Sequence, residues 1–113
     1  MNGQHFILDV ECSEKEKLAD AALLKQVLLD LPEIVKMRRL TEPIIVQGAA
    51  HNPGLTGIVV IETSNIVLHT FTESGKFSLD IFSVKPIEEE RVISYMRKNF
   101  DFKILRRKLF DRL

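Results

Sequence analysis

The residues able to do chemistry concentrate in one stretch. It runs Gly54-Leu-Thr-Gly-Ile-Val-Val-Ile-Glu-Thr-Ser-Asn-Ile-Val-Leu-His-Thr-Phe-Thr-Glu73, followed by Phe77-Ser-Leu-Asp-Ile-Phe-Ser-Val84. Hydroxyls (Thr56, Thr63, Ser64), an imidazole (His69) and carboxylates (Glu73, Asp80) interrupt runs that are otherwise apolar. A serine hydroxyl becomes a nucleophile once a neighbouring group takes its proton. Imidazole is the side chain that exchanges protons near neutral pH. Taken singly, each has a plainer reading: Ser64 between two strand-like runs is ordinarily a turn residue, and a lone histidine in a strand is ordinarily structural. A tight turn nonetheless suits a reactive serine, because its backbone can be held strained and its hydroxyl fixed. Other site types find less support. His5, His51 and His69 form no metal-ligand spacing with Cys12 or a carboxylate. Asn52-Pro53-Gly54 is a turn, no phosphate-loop pattern occurs, and Met37, Tyr95 and Met96 sit at packing spacings.

Taken together, the same stretch resembles the processing region of prokaryotic, pyruvoyl-dependent S-adenosylmethionine decarboxylase proenzymes. There a Gly-x-Ser/Thr-Gly loop leads through an apolar strand to Glu-Ser-His, then to His-Thr-Trp-Pro-Glu and a strand ending Phe-Thr-Cys-Gly. Gly3-Gln4-His5-Phe6 is similar to the family's Gly-x-His-Leu opening. The resemblance implies that the Ser64 hydroxyl attacks the carbonyl before it, giving an ester. Elimination and hydrolysis then leave a pyruvoyl group, the family's cofactor, at a new N-terminus. Cleavage would fall between Thr63 and Ser64, giving chains 1–63 and 64–113. His69 takes the place of the histidine that assists processing, Thr56 that of a nearby hydroxyl, and Glu73 and Asp80 also match. The ketone would condense with a small-molecule amine substrate and accept the electrons released with carbon dioxide.

Departures from the pattern are equally specific. The glutamate before the serine is Thr63, and the histidine after it is Asn65. Trp-Pro becomes Phe71-Thr72, and the cysteine that reprotonates the substrate becomes Val84, which has no titratable proton. The aromatic residue that stacks on adenine becomes Ala50, with His51 beside it. Three readings therefore stay open. They are an S-adenosylmethionine decarboxylase of spermidine synthesis, a pyruvoyl decarboxylase of ornithine or arginine, and an uncleaved, inactive homologue that binds or regulates. The family also implies a homodimer with its site at the subunit interface.

The elements that must position these residues follow from periodicity. Phe6, Leu8, Val10 and Cys12 alternate with polar residues, a strand with one buried face. Ser13 with Glu16 forms a capping-box pattern opening a helix, whose apolar stripe runs through Leu18, Ala21, Leu24, Leu28 and Leu31 to an interruption at Pro32. Ile44–Gln47 is a short strand, 48–57 a loop, and Ile58–Ile61 an apolar strand. Thr63-Ser64-Asn65 is a polar break, Ile66–Thr72 a strand, and Ser74-Gly75 a hairpin turn before the alternation from Phe77 to Ser83. Pro86 suits a first helical turn, Glu88–Asn99 a helix, and Phe102–Leu109 a last strand. The order β-α-β-β-β-β-α-β predicts a single α+β domain over 1–113, a two-layer sandwich of a mainly antiparallel sheet with helices on one face.

Composition sets the outer limits. A chain of 113 residues that is 45% apolar and 28% charged buries roughly two-thirds of its unfolded surface, which argues against disorder. Lys+Arg and Asp+Glu balance at 16 each, so the basic excess expected of a nucleic-acid partner is missing. The basic cluster of Lys103, Arg106, Arg107, Lys108 and Arg112 reads as solvated surface, with contact to an anion or acidic partner as the alternative. One cysteine excludes an intrachain disulfide. No apolar run approaches the roughly 20 residues of a membrane span, and no leader pattern opens the chain. The expectation is a cytoplasmic protein without membrane contact.

Overall fold

Alternation along the strands and one-sided stripes along the helices assemble into two layers, and the computed structural model describes residues 2–113. In chain order these are β1 (Gly3–Cys12), α1 (Lys15–Leu18), α2 (Ala21–Ile34), β2 (Ile44–Gln47), β3 (Leu55–Ile61), β4 (Ser64–Phe71), β5 (Lys76–Ser83), α3 (Glu89–Asn99) and β6 (Phe102–Arg112). The six strands form one sheet in the order β2-β3-β4-β5-β1-β6, and every neighbouring pair is antiparallel. Phe6, Leu8, Val10, Val59, Ile61, Ile66, Leu68, Phe77, Leu79 and Ile81 face the helices and are buried. They pack against Leu24, Val27, Leu28 and Leu31 of α2 and Val92, Ile93 and Met96 of α3 in a single cluster. The expected α+β sandwich is the observed one. No helix among the described residues is long and apolar enough to cross a membrane.

Local boundaries differ from the sequence expectations for identifiable reasons. Ser13 does not cap a helix. Its N–H is drawn towards Asp101 (3.4 Å) and that of Cys12 to the Gly75 carbonyl (2.7 Å), so the chain is still tied to neighbouring segments there. The long helix instead starts after Asp20, whose carboxylate accepts the Leu23 N–H at 3.0 Å. Pro32 lies inside α2, which continues to Ile34 because only its last turn follows. Pro86 precedes α3 rather than entering its first turn. β6 extends to Arg112, its alternation disguised by a bulge where Asp9 and Val10 pair with Arg106 and Ile104, leaving Leu105 extra. The polar break at 63–65 shrinks to the pair Glu62-Thr63, and Ser64 is the first residue of β4.

One buried hydroxyl ties the layers together. Thr70 Oγ1 accepts the Leu55 N–H at 2.9 Å and donates to the Leu18 carbonyl at 2.7 Å, joining β3, β4 and α1. Gly54 lies against this residue with φ +154°, and a Cβ on it would come within 1.9 Å of the Thr70 carbonyl oxygen. Thr70→Val keeps the shape and strands two backbone groups. It is expected to cost about 1–3 kcal/mol, read as a lower urea midpoint at unchanged slope in a Ser64→Ala background.

Candidate active site

The hairpin joining β3 to β4 closes on the pair Ile61↔Ser64, so Glu62 and Thr63 are its two turn residues. Thr63 has φ +47°. Gly or Asn ordinarily occupies a turn position with positive φ, and a β-branched residue there is an outlier. The left-handed conformation costs an L-residue about 1–2 kcal/mol. The turn is braced from outside against relaxing. Arg38 accepts the Glu62 N–H on its carbonyl at 3.0 Å, and Leu40 donates to the Val60 carbonyl at 2.9 Å. Arg39 bridges to Ile61, and Arg38 Nε also lies 3.3 Å from Glu62 Oε1. Strain falls on Thr63, the residue preceding Ser64, and the bracing on Val60, Ile61 and Glu62 just before it.

Ser64 is 7% exposed and faces the helix-covered side at the rim of the sheet. Its Oγ accepts the N–H of Val84 at 3.1 Å. Val84 is the first residue past β5, where the ladder no longer provides it with a partner. The donor is aimed by Ser83, whose buried Oγ accepts the Lys85 N–H at 3.0 Å and lies 2.8 Å from the Lys85 carbonyl. An open hollow of about 580 Å³ borders this rim, lined in part by Gly3, Gln4, Val84, Lys85 and Arg112.

His69 and Thr56 stand at the other end of the same hairpin. They face each other across the β3–β4 pairing, with His69 Nδ1 2.8 Å from Thr56 Oγ1. Gly57, next to Thr56 but facing the helices, lets α2 come close to the sheet, since a Cβ there would meet Leu28 Cδ1 at 2.5 Å. Glu73 is exposed in the β4–β5 turn, its carbonyl accepting Lys15 Nζ at 2.8 Å. Ala50 and His51 are exposed in the segment between β2 and β3. Ser64 and His69 are five positions apart, about 17 Å along a strand, and an odd spacing puts them on opposite faces. One chain therefore groups Thr63, Ser64 and Val84, and separately pairs Thr56 with His69, with Glu73 in the turn beyond. It does not join the two groups.

A third cluster lies on the helix-free face and went unassigned in the sequence. His5 Nε2 is 3.1 Å from Asp80 Oδ1, and the His5 ring lies 5.2 Å from that of Phe110. Arg112 stacks over the Phe82 ring at 4.9 Å. His5, Asp80, Phe82 and Arg112 line a hollow of about 520 Å³ together with Asn65, Val67 and His69. His5 matched only an opening motif and Asp80 only a strand motif. Their meeting depends on β1 pairing with β5 across 75 residues of chain, for which no local signal exists. The sole cysteine offers no substitute for the residue replaced by Val84. Cys12 is buried, burial pushes its thiol up, and it lies at the far end of β1 from Val84, towards Phe102.

Three comparisons bear on this arrangement. The sequence pattern described as S-adenosylmethionine decarboxylase matches residues 4–113. The S-adenosylmethionine decarboxylase proenzyme of Clostridium botulinum (strain Langeland) is 26% identical over 106 residues, covering 90% of this chain and 86% of that protein. The like-named proenzyme of Thermodesulfovibrio yellowstonii is 28% identical over 104 residues, covering 90% and 74%. In fold, the chain is similar to the crystal structure of the adenosylmethionine decarboxylase from Aquifex aeolicus VF5, with a TM-score of 0.74 over 97% of this chain and 88% of that one at 18% identity. With its strained serine hairpin, its Thr56–His69 pair and a family match across nearly its whole length, this chain belongs to the S-adenosylmethionine decarboxylase family.

Proposed function

We propose that this chain is a self-cleaving proenzyme whose Thr63–Ser64 bond breaks to give chains 1–63 and 64–113, and that the processed protein decarboxylates S-adenosylmethionine. One observation carries the reading: a β-branched residue at φ +47° directly precedes a serine whose Oγ is fixed by the Val84 N–H. Attack of that oxygen on the Thr63 carbonyl carbon forms an ester, and the hydroxyl proton ends on the former amide nitrogen. Breaking the peptide bond frees Thr63 from its left-handed conformation, so the strain stored in the turn favours cleavage. The relatives' name, proenzyme, supports this order of events. Elimination and hydrolysis then convert Ser64 into a pyruvoyl terminus, which supplies the ketone that takes up electrons as carbon dioxide leaves.

The separation of Ser64 from His69 leads us to place the working site between two copies. Ile44, Val46, Ile58, Val60 and Phe110 are exposed large apolar residues, between 36% and 60% exposed. By register they share the helix-free face, the kind of surface a second sheet covers at about 10 Å spacing. A twofold axis through that face brings opposite ends of β4 together. The partner subunit's His69, oriented by the partner's Thr56, then serves the Thr63–Ser64 rim of the first chain as proton carrier. The partner's Glu73 lies at that same end. A second reading, a smaller amino acid such as ornithine or arginine as substrate, is favoured by Ala50, which offers no ring for adenine. Carbon dioxide release from each labelled candidate separates the two; release from none removes both. We place the protein in the cytoplasm, in keeping with a single cysteine.

Intact-mass measurement on freshly purified protein is expected to give fragments 1–63 and 64–113, and one unbroken species would defeat the proposal. Thr63→Gly relieves the turn. In a Ser64→Ala background it is expected to raise stability by about 1 kcal/mol, and with Ser64 present to slow cleavage, followed by the decay of full-length mass. Mixing tests the trans arrangement. Ser64→Ala and His69→Ala chains alone should stay whole, whereas mixed subunits should cleave the His69→Ala chain; persistent full-length protein would place the histidine in cis.

A further inference from the structure

Loss of carbon dioxide leaves an electron pair on the substrate carbon, and that carbon must receive a proton before product can leave. Val84 carries none, and Cys12 is buried at the opposite end of β1. A hollow with groups able to supply one lies beside Asn65, the residue that follows Ser64. Its titratable lining groups are His5, His69 and Asp80, together with the fixed cation Arg112. His69 is engaged with Thr56 towards the other end of the hairpin. His5 is placed differently: it pairs with Phe82, and Phe82 pairs with Asn65, so the three stand in one row across β1, β5 and β4. Two strand spacings separate the ends of that row, about 10 Å between backbones, a gap spanned by an imidazole and a substrate joined at the ketone carbon, the former Ser64 Cα. That carbon lies in the sheet itself and so leaves the substrate free to extend over the helix-free face although Ser64 Oγ points to the helices.

We infer that His5, held by Asp80, is the acid that protonates the substrate carbon after decarboxylation. The inference rests on the proposed pyruvoyl chemistry. Asp80 accepts at His5 Nε2, 3.1 Å away, which leaves Nδ1 as the ring position able to face the hollow. The Phe110 ring, 5.2 Å distant, limits how far the imidazole can turn. Charged groups facing His5 from the adjoining strands are Asp80 on β5 and, beside Phe110 on β6, Lys108 and Arg112. In the step, the imidazolium Nδ1–H proton passes to the substrate carbon, a C–H bond forms with the electron pair left by carbon dioxide, and His5 becomes neutral with its remaining proton on Nε2 facing Asp80. Water returns the proton. Without this donor the same electron pair is protonated instead on the carbon derived from the ketone. Hydrolysis by water then releases an aldehyde and leaves the substrate nitrogen on the protein as an N-terminal alanyl residue.

The test compares wild type, His5→Asn and Asp80→Asn by mass spectrometry of fragment 64–113 before and after incubation with S-adenosylmethionine. All three should cleave, since neither residue belongs to the cleavage rim. Wild type should keep its pyruvoyl terminus. His5→Asn should lose about 10²-fold in turnover and accumulate the alanyl-terminated fragment, and Asp80→Asn should show the same diversion to a smaller extent. A ligand-free readout uses the Ser64→Ala chain: a proton resonance on His5 Nε2 should be visible by NMR and shift on Asp80→Asn. Retention of wild-type turnover and a pyruvoyl terminus in His5→Asn overturns the inference while leaving the proposed function standing. If His5→Asn does not fold or cleave, Asp80→Asn decides: diversion supports the inference and none overturns it. Wild type that neither cleaves nor releases carbon dioxide overturns both.

Discussion

Side chains of a β-strand point alternately to its two faces, and here helices cover only one of them. Nearly everything about the site follows from that constraint. The alternation sends Ile66, Leu68 and Thr70 into the core and leaves Asn65, Val67, His69 and Phe71 on the helix-free face. Ser64 and His69, an odd number apart, are therefore divided between faces as well as between ends. No rotamer change within one subunit closes a gap of about 17 Å. In the proposed pairing of two copies, a second sheet over the open face covers the apolar residues there and completes the set of groups around Thr63–Ser64.

Strain is placed where it has a use. The Glu62-Thr63 turn has the tightest length a hairpin allows, and its left-handed position is filled by threonine rather than glycine. The segment from Arg38 to Leu40 runs alongside β3 and secures the turn from the outside, so the register cannot slip to relieve it. On the other side, the hydrogen bonds of Ser83 shape the end of β5 and aim the Val84 N–H at Ser64 Oγ. A side chain without chemistry can thus occupy position 84 while its backbone still serves the serine.

Such a division of labour explains how the chain tolerates its departures from the family pattern. What processing requires of Val84 is an N–H, which every residue but proline supplies. What turnover requires is a proton near the substrate, and the register of β1, β5 and β6 gathers His5 and Asp80 beside Asn65 for that purpose. The open face holds an acid–base pair and an apolar surface together because strand pairing, rather than neighbourhood in sequence, fills it.

Much of this was legible in the amino-acid sequence alone. Alternation marked β1 and β5, short apolar runs marked β2, β4 and the second half of β3, and the stripe of α2 named its share of the core. The stretch from Gly54 to Phe82 carried the family resemblance and with it Ser64, His69 and Thr56. What stayed hidden depends on partners far away in the chain. Ser13 with Glu16 three positions on looks like a cap until Asp101 and Gly75 claim the adjoining backbone groups. Ser64 looks like a turn residue until pairing with Ile61 makes it the first residue of β4. The positive φ of Thr63, the Val84 donor, the His5–Asp80 pair and the distance between Ser64 and His69 were decided only by tertiary structure. Local sequence specifies a period and a face, whereas register and strand order arise from burying the whole sheet at once.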